Sequence, residues 1–395
     1  MTTGGIGRVE TQRALLFDER RPLELQSGET LAPVEVAYET YGTLDPDGAN
    51  TVFVCHALSG DAHAAGHHGD PQRRGWWDTI IGPGRPLDTD RFFVVCPNLL
   101  GGCDGTTGPA SLDPGSGRAY GLRFPLLTVR DLVSVHRALL GHLGISRLHA
   151  AVGGSLGGMQ ALQWALDHPA EVERAVLVCV SARLNAQNIA LTAVARAAIM
   201  SDPDFQGGDY LDGPRRPRRG LSVARRIGHI TYLSTESMRR KFDRRRRNGQ
   251  DAPMTMSSDF EVEHYLDHQG ASFAEHFDAL TYLYLTRLMD YFDPFAEPGL
   301  DLEAVSTRFL AISFDSDWRF GSEHSRHIVD VLRGGGVDAR HVEVSSPWGH
   351  DSFLLEDEVY HRLVARALDE ELEPGAFPSD GVSGTHTSRG GCRTQ

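Results

Sequence analysis

The sequence predicts an α/β protein: a mostly parallel β-sheet covered by helices on both faces and interrupted by a helical insertion. Three observations lead there. Short apolar, β-branched runs recur along the chain, as expected for strands buried on both faces. Amphipathic stretches of helical period separate several of them, such as "LTVRDLVSVHRALLGHLG". Across residues 184–304 no comparable strand run occurs and only helical spacing remains.

Taken in order, "PVEVAYETYG" (33–42) alternates and suits an edge hairpin strand. "TVFVCHAL" (51–58), "FFVVCPN" (92–98), "LHAAVGG" (148–154) and "AVLVCVSA" (175–182) follow as buried strands, and "FLAISFD" (309–315) and "ARHVEVSS" (339–346) come after the insertion. The insertion includes "FEVEHYLDHQGASFAEHFDALTYLYLTRLMDYFD", with apolar residues at helical spacing. Such an insertion commonly forms a lid. The expected organisation is a flexible N-terminus (1–12), an α/β core (13–183 and 305–372), a helical lid (184–304) and a polar, disordered tail rich in Gly, Ser and Thr (373–395).

Composition narrows the function. Among 395 residues, 40% are hydrophobic and 23% charged, an ordinary globular balance. The formal charge of −14 argues against nucleic acid as a partner, because a phosphate backbone selects a positive surface. The five cysteines include no C-x-x-C pair and several sit in apolar runs, which suits reduced thiols of a cytoplasmic protein. "MTTGGIGRVETQR" lacks the apolar core of a signal peptide, and no run reaches the length of a membrane span.

The chemistry concentrates in "HAAVGGSLGGMQALQWAL" (149–166). A phosphate-binding P-loop needs Lys-Ser or Lys-Thr after its last glycine, where this chain has Met159 and Gln160. The dinucleotide G-x-G-x-x-G also fits poorly. G-x-S-x-G fits at Gly153, Ser155 and Gly157, between a strand and a helix, which is the context of a nucleophile elbow. Ser155 is therefore the candidate nucleophile, and Leu156 at the helix N-terminus offers an oxyanion-hole N–H. A serine hydroxyl needs a base. In α/β-hydrolases the order is Ser, acid, His, each after a later strand. Asp315 and Asp317 follow one strand, and His350 follows the last. Leu58, after the strand beginning at Thr51, offers the second oxyanion N–H. His56, His63, His67 and His68 crowd the same loop, but without tight metal-ligand spacing; they read as polar loop residues, and no metal is assigned.

Together "HALSGDAH", "GGCDGTTGP", "GGSLGGMQALQWA", "GLSVARRIGHITYLS", "YLDHQGASFAEHFDALTYLYLTRLMD" and "WGHDSFL" resemble the homoserine O-acyltransferases, α/β-hydrolase-fold enzymes of methionine biosynthesis, over roughly residues 15–367. The closer likeness is to the acetyltransferases. The resemblance implies Ser155 as nucleophile, Asp317 rather than Asp315 as acid, and His350 as base. It implies Arg225 at the substrate carboxylate, Asp351 at the homoserine end, and Tyr232 along the substrate tunnel. It implies ping-pong transfer from acetyl-CoA to L-homoserine through an acyl-serine, with no cofactor and with a homodimer formed through the lid. Succinyl transfer, another hydroxyl acceptor and a plain esterase are the alternatives. The family's Ser-Asp-Trp-Leu-Phe-Pro segment is here Ser-Asp-Trp-Arg-Phe-Gly, with Arg319 and Gly321 departing. The runs "GPRRPRRG" (213–220) and "RRKFDRRRRNG" (239–249) could meet CoA phosphates, but a solvated surface is the simpler reading.

Overall fold

The structure is a computed structural model that describes residues 5–250 and 253–369; the expected tail (373–395) and residues 1–4 lie outside them. Eight strands build the main sheet: β1 (Gln12–Phe17), β2 (Val34–Tyr41), β3 (Thr51–Cys55), β4 (Phe93–Pro97), β5 (Leu148–Gly154), β6 (Val172–Val178), β7 (Arg308–Phe314) and β8 (Ala339–Val344). Their spatial order is β1-β2-β4-β3-β5-β6-β7-β8. The β1–β2 and β2–β4 pairings are antiparallel and the rest parallel. The central strands are buried on both faces, every residue of β3 included, which is why they read as unbroken apolar runs. β6 starts at Val172 and ends at Val178, three residues earlier at its start than the sequence suggests and four at its end.

On one face, helices α1 (Val129–His142), α2 (Leu156–Asp167) and α8 (Ser322–Gly334) share an apolar core with the insertion. α9 (Glu358–Leu368) packs with Trp77 and Ile80 on the other face. The insertion contains α3 (Ala186–Met200), α4 (Arg218–Tyr232), α5 (Thr235–Lys241), α6 (Glu261–His276) and α7 (Ala279–Tyr291). Asn185, Ser234 and Asp278 cap α3, α5 and α7 with side-chain oxygens, satisfying helix-end N–H groups. The N-terminal segment expected to be flexible is tied down from Gly7 onward: Val9 and Gly7 exchange backbone hydrogen bonds with His67.

This topology gathers four loops. Leu58 follows β3, Ser155 follows β5, Asp317 follows β7 and His350 follows β8. In an open α/β sheet the crevice beyond the carboxyl ends of the strands is where ligands bind. The insertion, the candidate lid, is stitched to the same loops. Trp318 Nε1 donates to the carbonyl of Leu233 (3.1 Å), and Ser234 Oγ donates to that of Pro347.

Candidate active site

Ser155 links β5 directly to α2 in a backbone conformation of φ 56°, ψ −122°. A positive φ is strained for a non-glycine residue. The neighbouring glycines make the turn feasible: a Cβ at Gly153 would overlap the backbone of Gly157, and one at Gly157 the carbonyl of Cys55. Ser155 N–H donates to Val178 O (2.9 Å), fixing the turn to the adjacent strand. Leu156 then opens α2, where the first N–H groups lack intrahelical acceptors. The N–H of Leu58 has no acceptor among the described residues.

His350 Nδ1 donates to Asp317 Oδ2 (2.7 Å), and both side chains are almost fully buried. The other carboxylate oxygen of Asp317 accepts the N–H groups of Arg319 (2.9 Å) and Phe320 (3.0 Å), so the acid is held in one pose. Asp315 is turned elsewhere and accepts the N–H of Ser346 (3.0 Å). Tyr232, Phe320 and Phe353 ring His350, with ring centroids 5.8, 5.2 and 5.7 Å away. Its Nε2 makes no hydrogen bond among the described residues.

Gln160, one turn into α2 and fully buried, was not singled out from the sequence. Its Nε2 donates to the carbonyls of His56 (3.2 Å) and Leu156 (3.0 Å), and its Oε1 accepts from His136 Nε2 (2.9 Å). One carboxamide thus clamps both backbone segments that carry the candidate oxyanion donors, Leu58 and Leu156. His56 braces the same loop, donating from Nδ1 to Ala57 O (2.7 Å) and accepting Leu99 N–H at Nε2 (3.1 Å). Burial lowers its pKa to about 4, so it is neutral at physiological pH. The i, i+4 spacing from Leu156 hints at one of the Gln160 contacts; the contact to His56 needs the tertiary fold.

Among the described residues, Arg225, Asp351 and Arg319 form no salt bridge with a group of opposite charge. Arg225 on α4 donates to Ser59 Oγ (3.1 Å) and lies over the Phe273 ring (4.5 Å), yet no carboxylate pairs with it among the described residues and its buried Nε is unpartnered. Asp351 makes no hydrogen bond among the described residues. Burial pushes its pKa up, while His350, Arg225 and Lys241 pull it down. Arg319 is 6% exposed and donates to Thr231 Oγ1 (3.0 Å). Its guanidinium lies against Tyr232 (5.5 Å) and Phe320 (5.6 Å), two of the rings around His350, and it too pairs with no carboxylate among the described residues. The arginine-rich runs behave differently: Arg239 and Arg240 are exposed and pair with Glu236.

The sheet order, the strand–serine–helix turn and the Asp–His pair define an α/β-hydrolase. The family model for the alpha/beta hydrolase fold matches residues 50–357, and the chain belongs to that family. Within it, the chain is a member of the homoserine O-acyltransferases. It is 57% identical over 368 residues to a homoserine O-succinyltransferase of a Nocardioides species, covering 93% of this chain and all of the relative. It is 46% identical over 382 residues to a homoserine O-acetyltransferase of Methanobrevibacter ruminantium, covering 96% of this chain and 77% of the relative. Among solved structures, homoserine O-acetyltransferase from Bacillus anthracis superposes with a TM-score of 0.84 at 29% identity, over 93% of this chain and 99% of that one. No described helix is long and apolar enough to cross a membrane.

Proposed function

We propose that the chain transfers a succinyl group from succinyl-CoA to the hydroxyl of L-homoserine, by way of a succinyl ester on Ser155. Arg319 carries this reading, which puts the succinyl alternative ahead of the acetyl donor expected from the sequence. The guanidinium is a permanent cation, and burying one without an anion is costly. Its position against the aromatic rings around His350 suits the distal carboxylate of a succinyl chain attached to Ser155. An acetyl group has nothing to offer it. The 57% identity to a relative named a succinyltransferase supports the same reading. Acetyl transfer is the second reading, favoured by the likeness to the acetyltransferases.

In the proposed cycle His350 Nε2 takes the Ser155 proton as the oxygen attacks the thioester carbonyl. The N–H groups of Leu58 and Leu156 stabilise the oxyanion. The C–S bond breaks, and the proton passes from His350 to the CoA thiolate. Homoserine then binds with its carboxylate on Arg225 and its ammonium near Asp351. His350 removes the hydroxyl proton, the homoserine oxygen attacks the ester, and the proton returns to Ser155. Asp317 holds the imidazole in the tautomer this requires. The lid limits access of water, which would otherwise hydrolyse the ester. A homodimer through the lid is part of the proposal, and the exposed Val194, Met200, Val223 and Ile230 on α3 and α4 support it.

The test is thiol release from succinyl-CoA and acetyl-CoA, with and without homoserine. A hydrogen-bonded charge contributes about 1.5–3 kcal/mol, so kcat/KM should favour succinyl-CoA by on the order of tenfold to a hundredfold. Arg319→Leu should remove that preference. A wild-type preference for acetyl-CoA would overturn the donor assignment.

A further inference from the structure

Two of the four loop histidines, read from the sequence as polar loop residues, are drawn into a different arrangement. We propose that Glu39, His63 and His68 form a binding site for one divalent transition-metal ion of the zinc class, separate from the Ser155 machinery. Glu39 lies on β2 with its side chain fully buried. Its Oε1 accepts hydrogen bonds from Thr11 Oγ1 (2.8 Å) and His68 Nε2 (2.6 Å). Its Oε2 accepts from Tyr41 Oη (2.8 Å) and His63 Nδ1 (3.0 Å). The two imidazole rings lie 3.9 Å apart, centroid to centroid, tilted by 33°. One nitrogen from each ring and a carboxylate oxygen all fall within 4.8 Å of one another.

Two imidazoles and one carboxylate are the donor set of three-ligand zinc sites, which keep a fourth position open. With zinc–ligand bonds of about 2.0–2.2 Å, neighbouring ligands of a tetrahedral site stand roughly 3.4 Å apart. The 2.6 and 3.0 Å carboxylate–imidazole contacts would each lengthen by less than about an ångström to reach that spacing. Four hydrogen bonds hold the buried Glu39 carboxylate in one pose, with an oxygen facing each imidazole. Coordination through Nδ1 of neutral His63 places the ring proton on Nε2, which is buried and unpartnered. Tyr41 and Thr11 would remain on the carboxylate, as outer partners commonly do in metal sites. His68 is half-exposed and gives the ion a way in. Such an ion would tie the segment ahead of β1, strand β2 and the loop after β3 into one unit.

The experiment uses the full chain, stripped with a chelator and titrated with Co(II), then with Zn(II) in competition. Metal content after dialysis is measured by elemental analysis. The wild type should take up one equivalent, seen in the visible Co(II) bands and displaced by Zn(II). Glu39→Gln and His68→Ala should each weaken binding by more than about a hundredfold, beyond the roughly 10–100-fold that losing an outer partner costs; Tyr41→Phe should fall within that smaller range. His67→Ala should bind as the wild type does. His68→Ala tests the idea while leaving Glu39 in place with three of its four hydrogen-bond donors, and its retained thiol-release activity shows that it folds. Substoichiometric uptake by the wild type, unchanged binding in Glu39→Gln, or loss that follows His67 rather than His68 would each overturn the site and leave a hydrogen-bonded cluster.

Discussion

The two halves of the site treat polarity in opposite ways. On the sheet side, the groups around the candidate triad are satisfied by the protein itself: Asp317 accepts three hydrogen bonds, and Gln160 uses both ends of its carboxamide. Around the lid, Arg225, Asp351 and Arg319 keep charges that no protein group of opposite sign pairs with through a hydrogen bond among the described residues. The first arrangement fixes geometry before substrate arrives, as electrostatic preorganisation requires. The second leaves interactions to be completed by ligand. Substitutions on the sheet side should therefore strike turnover, and those around the lid should strike substrate use.

The largest effect should come from Ser155→Ala, with turnover falling by about 10⁴-fold or more and the fold intact by circular dichroism. Near-normal turnover would remove Ser155 from the reaction. Asp317→Asn should cost about 10⁴-fold, because the His350 tautomer is no longer enforced. Asp315→Asn, which loses only a contact to Ser346, should cost far less; the reverse ranking would put the acid in the wrong place. Gln160→Leu should lower kcat by about 10²-fold, at the lower end of what loss of an oxyanion donor costs. Its KM for homoserine should hold; a rise in KM with kcat unchanged would show that Gln160 serves the acceptor side.

On the lid side, Arg225→Ala should still give a burst of free CoA and an acylated Ser155. It should need on the order of tenfold to a hundredfold more homoserine. If the burst vanishes while the homoserine dependence stays the same, the clamp is wrong. The smallest effect concerns stability. The pKa of Asp351 is raised in the folded state, so the native protein binds more protons than the unfolded chain between the two pKa values. For this group, stability falls as pH rises through that window. Asp351→Asn should therefore raise the melting temperature at pH 7 by at most about 2–4 °C, with a gain that shrinks toward the ordinary carboxylate range. A gain independent of pH would assign the effect to packing. The same variant should use homoserine less well.

What the sequence revealed depended on range. The buried strands and the Ser155 turn are written in consecutive residues, so period and glycine placement expose them. The order of Ser155, Asp317 and His350 follows from strand succession, yet the choice between Asp315 and Asp317 did not come from spacing; it came from resemblance, and hydrogen-bond geometry now supplies a physical reason. Gln160 was invisible because its decisive partner is a carbonyl 104 residues away. Arg319 was visible as a departure but not as a charge, since its burial and missing counter-ion exist only once α4 packs over the loop. Glu39 and His63 are 24 residues apart and escape any ligand-spacing rule.

One residue sits on both sides of the comparison. The backbone N–H of Arg319 helps hold Asp317, the candidate acid, while its side chain lies against Tyr232 in the region proposed for the acyl group. Every residue except proline supplies that N–H. Replacing the side chain can therefore alter which donor is accepted without dismantling the acid's support. On the proposed reading, a single substitution at this position would separate the two donor preferences, and relatives named for either donor can share one scaffold.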